Sequence, residues 1–180
     1  PVIAQDLADV RTSVKSISSY SPQVIIGGPP CQDFSTAGRQ DESRGRAILS
    51  VKYSEIISAV RPQYFVMENV ATIKNANSFR KAIANFHDAG YGLTQQVLDA
   101  AYCGVPQHRK RMFVIGCIGE EDGFLEERLV SNLSASPMSI FDYLGSSLGI
   151  ENYFRVPTNY SRRGVFSCLL YTSPSPRDLS

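Results

Sequence analysis

The chain has 180 residues, of which 43% are hydrophobic and 19% charged, with a formal net charge of +1. That length buries a sizeable core without disulfide or metal staples, and the composition excludes a disordered polyelectrolyte, collagen and a coiled coil. A uniformly basic nucleic-acid binder is excluded too, and no run reaches the ~18 apolar residues of a membrane span.

In chain order, Pro1-Val2-Ile3 reads as strand-like, with no glycine-rich GxGxxG turn ahead of it, so a further strand is expected upstream. Val24 to Ile26 is a short apolar run closed by Gly27-Gly28-Pro29-Pro30, the pattern of a buried parallel strand stopped by breakers. From about Ala47 to Val60, the positions Ile48, Leu49, Ile56, Ile57 and Val60 suit a helix closed by Arg61-Pro62. Tyr64 to Met67 is the next buried strand, breaking off into Glu68-Asn69. Ser78 is placed to cap a helix that carries Phe79, Ile83 and Phe86 on one face, and Gly90 ends it. Leu93 to Leu98 alternates weakly, Met112 to Cys117 is strongly apolar, and Ser139 to Leu144 suits a short helix. Strands alternating with helices predict an α/β fold with a doubly wound, mostly parallel sheet, incomplete at both ends. The last residues, 168–180 (CLLYTSPSPRDLS), carry no amphipathic pattern and read as a non-native tail.

In such a sheet the loops at the carboxyl ends of strands line the ligand crevice, so the residues after each strand matter most. Asp6 follows VIAQ, Cys31 follows VIIGGPP, Glu68 follows YFVM, and Gln107-His108-Arg109-Lys110-Arg111 precedes MFVIG. A cysteine on a stiff Pro-Pro turn has little conformational freedom and suits a nucleophile, its thiolate favoured by a cation such as Arg109 or Arg111. By residue type alone Cys31 also suits a small buried hydrophobe, but Gln32, Asp33 and Ser35 argue against burial. Glu68 fits either a cap or an acid–base group. Asp6 alone fits a turn. Alternation along an extended segment puts Arg109 and Arg111 on one side and Lys110 on the other, where guanidinium groups can fix a phosphate or a base carbonyl. Cys103, Cys117, His87 and His108 read as structural or surface residues. The cysteines form no CxxC pair and, with two histidines, show no zinc spacing, so no metal is expected.

The ordered blocks GGPPCQDFS, MENV and QHRKRMFVIG closely resemble the signature blocks of the cytosine-carbon-5 DNA methyltransferase family. QDLADV resembles its preceding acidic block and SRGRAILSVKYSEIISAVRP its intervening helix block, so that the resemblance covers roughly residues 1–119. It implies a Rossmann-like methyltransferase that moves a methyl group from S-adenosylmethionine to carbon 5 of a cytosine in double-stranded DNA. Cys31 would attack carbon 6, Glu68 would hold ring nitrogen 3 and the exocyclic amine, Arg111 would meet the base carbonyl, and Arg109 would order the cysteine loop. Asp6 would take the adenine amine, Leu7 and Leu49 the apolar walls, and Pro30 the loop beside the sulfonium. Gln32, Ser35 and Gln107 would contact the substrate, with residues 36–40 closing over a flipped-out base and Arg39, Arg44 and Arg46 adding positive charge.

The resemblance further implies a partial catalytic domain over 1–149 and the start of a target-recognition region over 150–167. The upstream cofactor block and most of the downstream recognition domain are expected outside the chain, and the 180 residues alone are expected to turn over little. The expected setting is a monomeric, cytoplasmic, nucleoid-associated enzyme of a prokaryote or phage, without a membrane, inside a restriction-modification system or outside one. A transfer-RNA cytosine-5 methyltransferase and a catalytically silent DNA-binding homologue are the alternatives.

Overall fold

The computed structural model describes residues 2–30 and 48–144, and Cys31, Gln32, Ser35, the 36–40 stretch, the three arginines at 39, 44 and 46, and everything after Leu144 lie outside them. The chain divides into two compact units, Pro1–Ser139 and Ile140–Ser180. Of the second, the described part is one short helix, Ile140–Leu144.

Within the first unit the order is α1 (Val10–Ser18), β1 (Val24–Gly27), α2 (Ile48–Val60), β2 (Tyr64–Val70), α3 (Asn77–Asp88), β3 (Tyr91–Asp99), β4 (Lys110–Ile118) and α4 (Glu126–Ser131). The four described strands form one sheet in the order β1-β2-β4-β3. β1 runs parallel to β2 through the α2 crossover, whereas β4 lies antiparallel to both β2 and β3. The α/β class holds, in a sheet whose described part is mixed. A crossover helix is what allows parallel pairing, and between β3 and β4 the chain has room for a single short 3-10 turn, Ala100–Tyr102.

Several boundaries differ from the periodicity. Residues 2–8 form no strand; they lead into α1, whose N-cap Asp9 accepts the Thr12 N–H at 3.1 Å. β2 runs three residues past Met67, so Glu68 lies inside a strand, because pairing with β4 continues to Val70↔Arg111. Ser78 does not cap α3: the helix starts at Asn77 after an uncapped Ala76, and Ser78 sits buried in its first turn. The acidic segment EEDGFLEER (120–128) leads into α4, which starts at Glu126 and runs on to Ser131.

The core lies between the sheet and helices α2 and α3. Phe65, Phe86, Ile56, Ile57, Ile73 and Val114 are buried there. Phe65 stacks on Phe86 with ring centroids 4.1 Å apart and meets Tyr91 edge-on at 5.0 Å. Phe79 is buried on the same face as predicted, with Ile83 partly so, while Ile48 at the start of α2 is half exposed. Among the described residues no helix is long and apolar enough to cross a membrane.

Candidate active site

The site is built where β1 and β2 end side by side. The parallel register pairs Gly27 with Met67, so Gly28, the first residue of the breaker turn, comes level with Glu68. A Cβ on Gly28 would stand 3.2 Å from Glu68 Oε2, so a bare backbone is what lets turn and carboxylate approach. Gly27 is equally constrained: a Cβ there would overlap the Tyr53 ring, which is buried and donates its hydroxyl to the Val66 carbonyl at 3.0 Å. Tyr53 thus fills the space that a side chain on β1 would occupy.

Alternation along β2 buries Phe65, Met67 and Asn69 and turns Glu68 the other way. On the buried side a polar group must find partners. Asn69, 2% exposed, donates from Nδ2 to the Pro29 carbonyl at 3.0 Å and accepts the Val70 N–H on Oδ1 at 2.9 Å. One side chain therefore ties β2 to the Pro-Pro turn two residues before Cys31. Sequence reasoning quoted MENV but gave Asn69 no role; the available signal was a polar residue at an apolar period-2 position.

On the other side, Glu68 Oε1 bonds Arg111 Nε at 3.0 Å. Glu68 stands opposite Phe113 in the antiparallel register, which makes Arg111 its diagonal neighbour on the same face. Arg111 also donates from Nη1 to the Lys110 carbonyl at 2.8 Å. A carboxylate and a guanidinium held together in this way present a planar acceptor–donor pair to a ligand at the strand ends.

The predicted cofactor residues gather only in part. Leu7, Pro30 and Leu49 line one cavity of about 230 Å³, with Ile25, Tyr53 and Ile56 among its walls and the Gly27-Gly28 backbone along it. Asp6 is not in that lining; its Oδ1 accepts the Ala8 N–H at 2.9 Å in the turn before α1. Nor are all predicted basic residues brought together. Arg109 and Gln107 are exposed in the β3–β4 connection. Arg109 is held through its backbone, its N–H donating to Asp99 Oδ1 at 3.0 Å and its carbonyl accepting the Ala100 N–H at 3.1 Å. Asp99, another residue that sequence reasoning passed over, also accepts from the Ala101 N–H and contacts His108 Nδ1 at 3.1 Å. Among the described residues no cluster of three or more His, Cys, Asp or Glu side chains is placed to hold a metal.

An α/β sheet with an apolar cavity and an acid–guanidinium pair at adjoining strand ends defines a Rossmann-like ligand-binding domain. The family model "C-5 cytosine-specific DNA methylase" matches residues 1–160, beyond the span of the sequence blocks, and the chain belongs to that family. It is 49% identical over 176 residues to the Type II methyltransferase M.HindV of Haemophilus influenzae, covering 98% of this chain and 57% of that protein. It is 43% identical to M.HgiDI of Herpetosiphon aurantiacus, covering 98% of this chain and 56% of that protein. The chain thus spans a little over half the length of these relatives. Its fold is similar to that of Dnmt2 of S. pombe, with a TM-score of 0.61 at 15% identity, covering 84% of this chain and 50% of that one. It is also similar to a putative DNA modification methyltransferase encoded within an E. coli prophage, with a TM-score of 0.56 at 24% identity over 77% of this chain and 39% of that one.

Proposed function

We propose that this chain carries the reaction centre of a DNA (cytosine-5-)-methyltransferase that acts on double-stranded DNA through a covalent adduct on Cys31. The observation that carries the reading is the convergence at one sheet edge: Glu68 paired with Arg111 at 3.0 Å, beside a Gly-Gly-Pro-Pro turn that Asn69 anchors and that leads directly to Cys31. The apolar cavity fits a flat heterocycle, since it combines aliphatic walls with accessible Gly27-Gly28 backbone. Leu7, Pro30 and Leu49 would hold S-adenosylmethionine there, with Asp6 close by in sequence, and that molecule supplies an electrophilic methyl group.

The chain's own residues prepare the acceptor carbon. The Cys31 sulfur adds to carbon 6 of an extruded cytosine, which turns carbon 5 into a nucleophile. Glu68 holds ring nitrogen 3 and the exocyclic amine where charge develops, Arg111 steadies the base carbonyl, and Arg109 supports the cysteine loop. Once carbon 5 has taken the methyl group, loss of its proton to a base and departure of the Cys31 thiolate from carbon 6 restore the ring's double bond. Gln32, Ser35 and Gln107 contact the DNA around the extruded base. Incubation of the full-length protein with S-adenosylmethionine and a 5-fluorocytosine duplex tests the reading: a denaturation-resistant adduct that Cys31→Ser abolishes is the expected result. An adduct that survives that substitution removes Cys31 as nucleophile.

A further inference from the structure

Helix α1 carries a polar residue where its packing calls for an apolar one. Val10, Val14 and Ile17 stand on one stripe of the helix, and Ser13 lies among them. It is the one buried residue of α1, 0% exposed, while the three apolar positions are only partly covered. Alanine would suit such a place better, since serine is the weaker helix former and brings a hydroxyl that must be bonded. A helical serine ordinarily turns its hydroxyl back to the carbonyl four residues earlier. Here that carbonyl, of Asp9, takes the Ser13 N–H at 3.0 Å, and the hydroxyl reaches past the start of the helix to donate to the Asp6 carbonyl at 3.3 Å.

Asp6 opens the turn that leads into α1. Its carbonyl also accepts the Asp9 N–H at 3.1 Å, and its Oδ1 accepts the Ala8 N–H at 2.9 Å, so backbone and side chain together close the turn from Asp6 to Asp9. A further contact to that carbonyl, from Gln5 Nε2 at 3.3 Å, is exposed. Asp6 Oδ2 makes no bond among the described residues and is open to a ligand. Leu7, the next residue of the turn, lines the cavity of about 230 Å³, and so does Ile17 from the stripe that holds Ser13. Ser13 is thus fixed by burial on the inner side of α1, and from there it secures the turn that carries an open carboxylate oxygen next to a cavity-lining residue.

We propose that Ser13 is a positioning residue for the methyl donor: its hydroxyl holds the Asp6–Asp9 turn so that Asp6 Oδ2 meets the donor's heterocycle beside Leu7. This rests on the S-adenosylmethionine reading of the cavity. Ser13→Ala is a discriminating change because it leaves no orphan: the Asp6 carbonyl keeps the Asp9 N–H, and a methyl group fills the buried place. The test is equilibrium binding of S-adenosylhomocysteine, the donor without its transferable methyl group, to the full-length protein. Ser13→Ala is expected to weaken it about three- to tenfold, the range of one neutral hydrogen bond. The KM for S-adenosylmethionine should rise by the same factor at an unchanged kcat, and the urea midpoint should not fall. In an Asp6→Ala background the same substitution should cost less than about twofold, because the group it positions is gone.

Wild-type affinity in Ser13→Ala overturns the positioning role, since the hydroxyl then orders nothing that the donor meets. An equal loss in the Asp6→Ala background overturns it too, because the hydroxyl would act elsewhere than through Asp6. A loss accompanied by a lower urea midpoint reduces Ser13 to a packing residue and has the same force. Binding by the wild-type protein separates this from the reading beneath it. If wild type binds S-adenosylhomocysteine and Ser13→Ala binds it equally well, the positioning role fails and the donor site stands; if wild type binds none, the donor site fails and the role of Ser13 falls with it.

Discussion

Asn69→Ala probes the link between fold and reaction most directly. Truncation removes the side-chain partner of two groups: the buried Pro29 carbonyl, now bonded at 3.0 Å, and the part-buried Val70 N–H, bonded at 2.9 Å. A buried orphan costs about 1–3 kcal/mol and a part-buried one less, so the variant should lose about 2–4 kcal/mol, a large share of the ~5–15 kcal/mol typical of a domain. In urea the midpoint should fall with an unchanged slope. The same bond fixes the turn two residues before Cys31, and a displacement of about 1 Å at a reacting atom costs on the order of 100-fold in rate. Adduct formation on a 5-fluorocytosine duplex, measured well below the unfolding midpoint, should therefore slow by about 10- to 100-fold. Asn69→Asp keeps one acceptor but sets an oxygen against the Pro29 carbonyl, so it should fare no better than alanine. Stability lost with an undiminished adduct rate would refute the positioning role, and wild-type behaviour in both assays would refute the whole chain of reasoning.

Glu68→Gln should separate stability from chemistry in the opposite way. Its ion pair with Arg111 is partly exposed, so unfolding should change by less than about 1 kcal/mol while adduct formation falls by about 100-fold or more. Gly116→Ala puts a Cβ into the ring of fully buried Phe65, and should lower stability in thermal unfolding by about 1–3 kcal/mol or more. Tyr91 donates its hydroxyl to the Pro62 carbonyl at 2.6 Å, and burial pushes its phenol up to about 12. An unfolded tyrosine ionises near pH 10, so this contribution is whole below pH 10 and lost as pH rises through about 12. Stability measured across that window should fall more steeply for wild type than for Tyr91→Phe. Parallel curves would disprove the assignment.

What the sequence made legible was what local pattern determines. The breaker turn after β1, the helix ending at Arg61-Pro62 and the apolar face of α3 follow from periodicity and from glycine and proline chemistry. Leu7, Pro30 and Leu49 were named together only by the family resemblance, and in the structure the three line one cavity. What stayed hidden depends on pairing between distant segments. The extension of β2 through Glu68 is dictated by β4, more than forty positions away, and Asn69 gains its meaning from Pro29 across the strand ends. Asp99 carries no local signal in the sequence, because its carboxylate gathers Ala101, His108 and Arg109 only once β3 and β4 are paired. α1 was missed because its apolar positions are few and its cap, Asp9, stands close to a more conspicuous Asp6.

The antiparallel entry of β4 explains why the acid and the guanidinium meet at all. Parallel strands deliver their last residues and the loops that follow to the ligand edge, as β1 delivers Gly27-Gly28 and β2 delivers Glu68. A strand running the opposite way brings its first residues to that same edge. Lys110 and Arg111 open β4, and the register Val70↔Arg111 sets them beside the end of β2. Arg111 is thus fixed by a continuous ladder down to Tyr64↔Cys117, whereas a loop residue such as Arg109 is held by two bonds, its N–H to the Asp99 carboxylate and its carbonyl from the Ala100 N–H. Rigidity within the basic cluster is therefore unequal. Arg111 belongs to the sheet, as the proposed contact with a base requires, and the residues just before it ride on an exposed connection. Asp99→Asn should accordingly leave the Glu68–Arg111 pair in place while loosening Arg109 and His108. Amide hydrogen exchange should then quicken at residues 107–109 and stay slow at Phe113 and Val114; equal acceleration at both places would contradict this division.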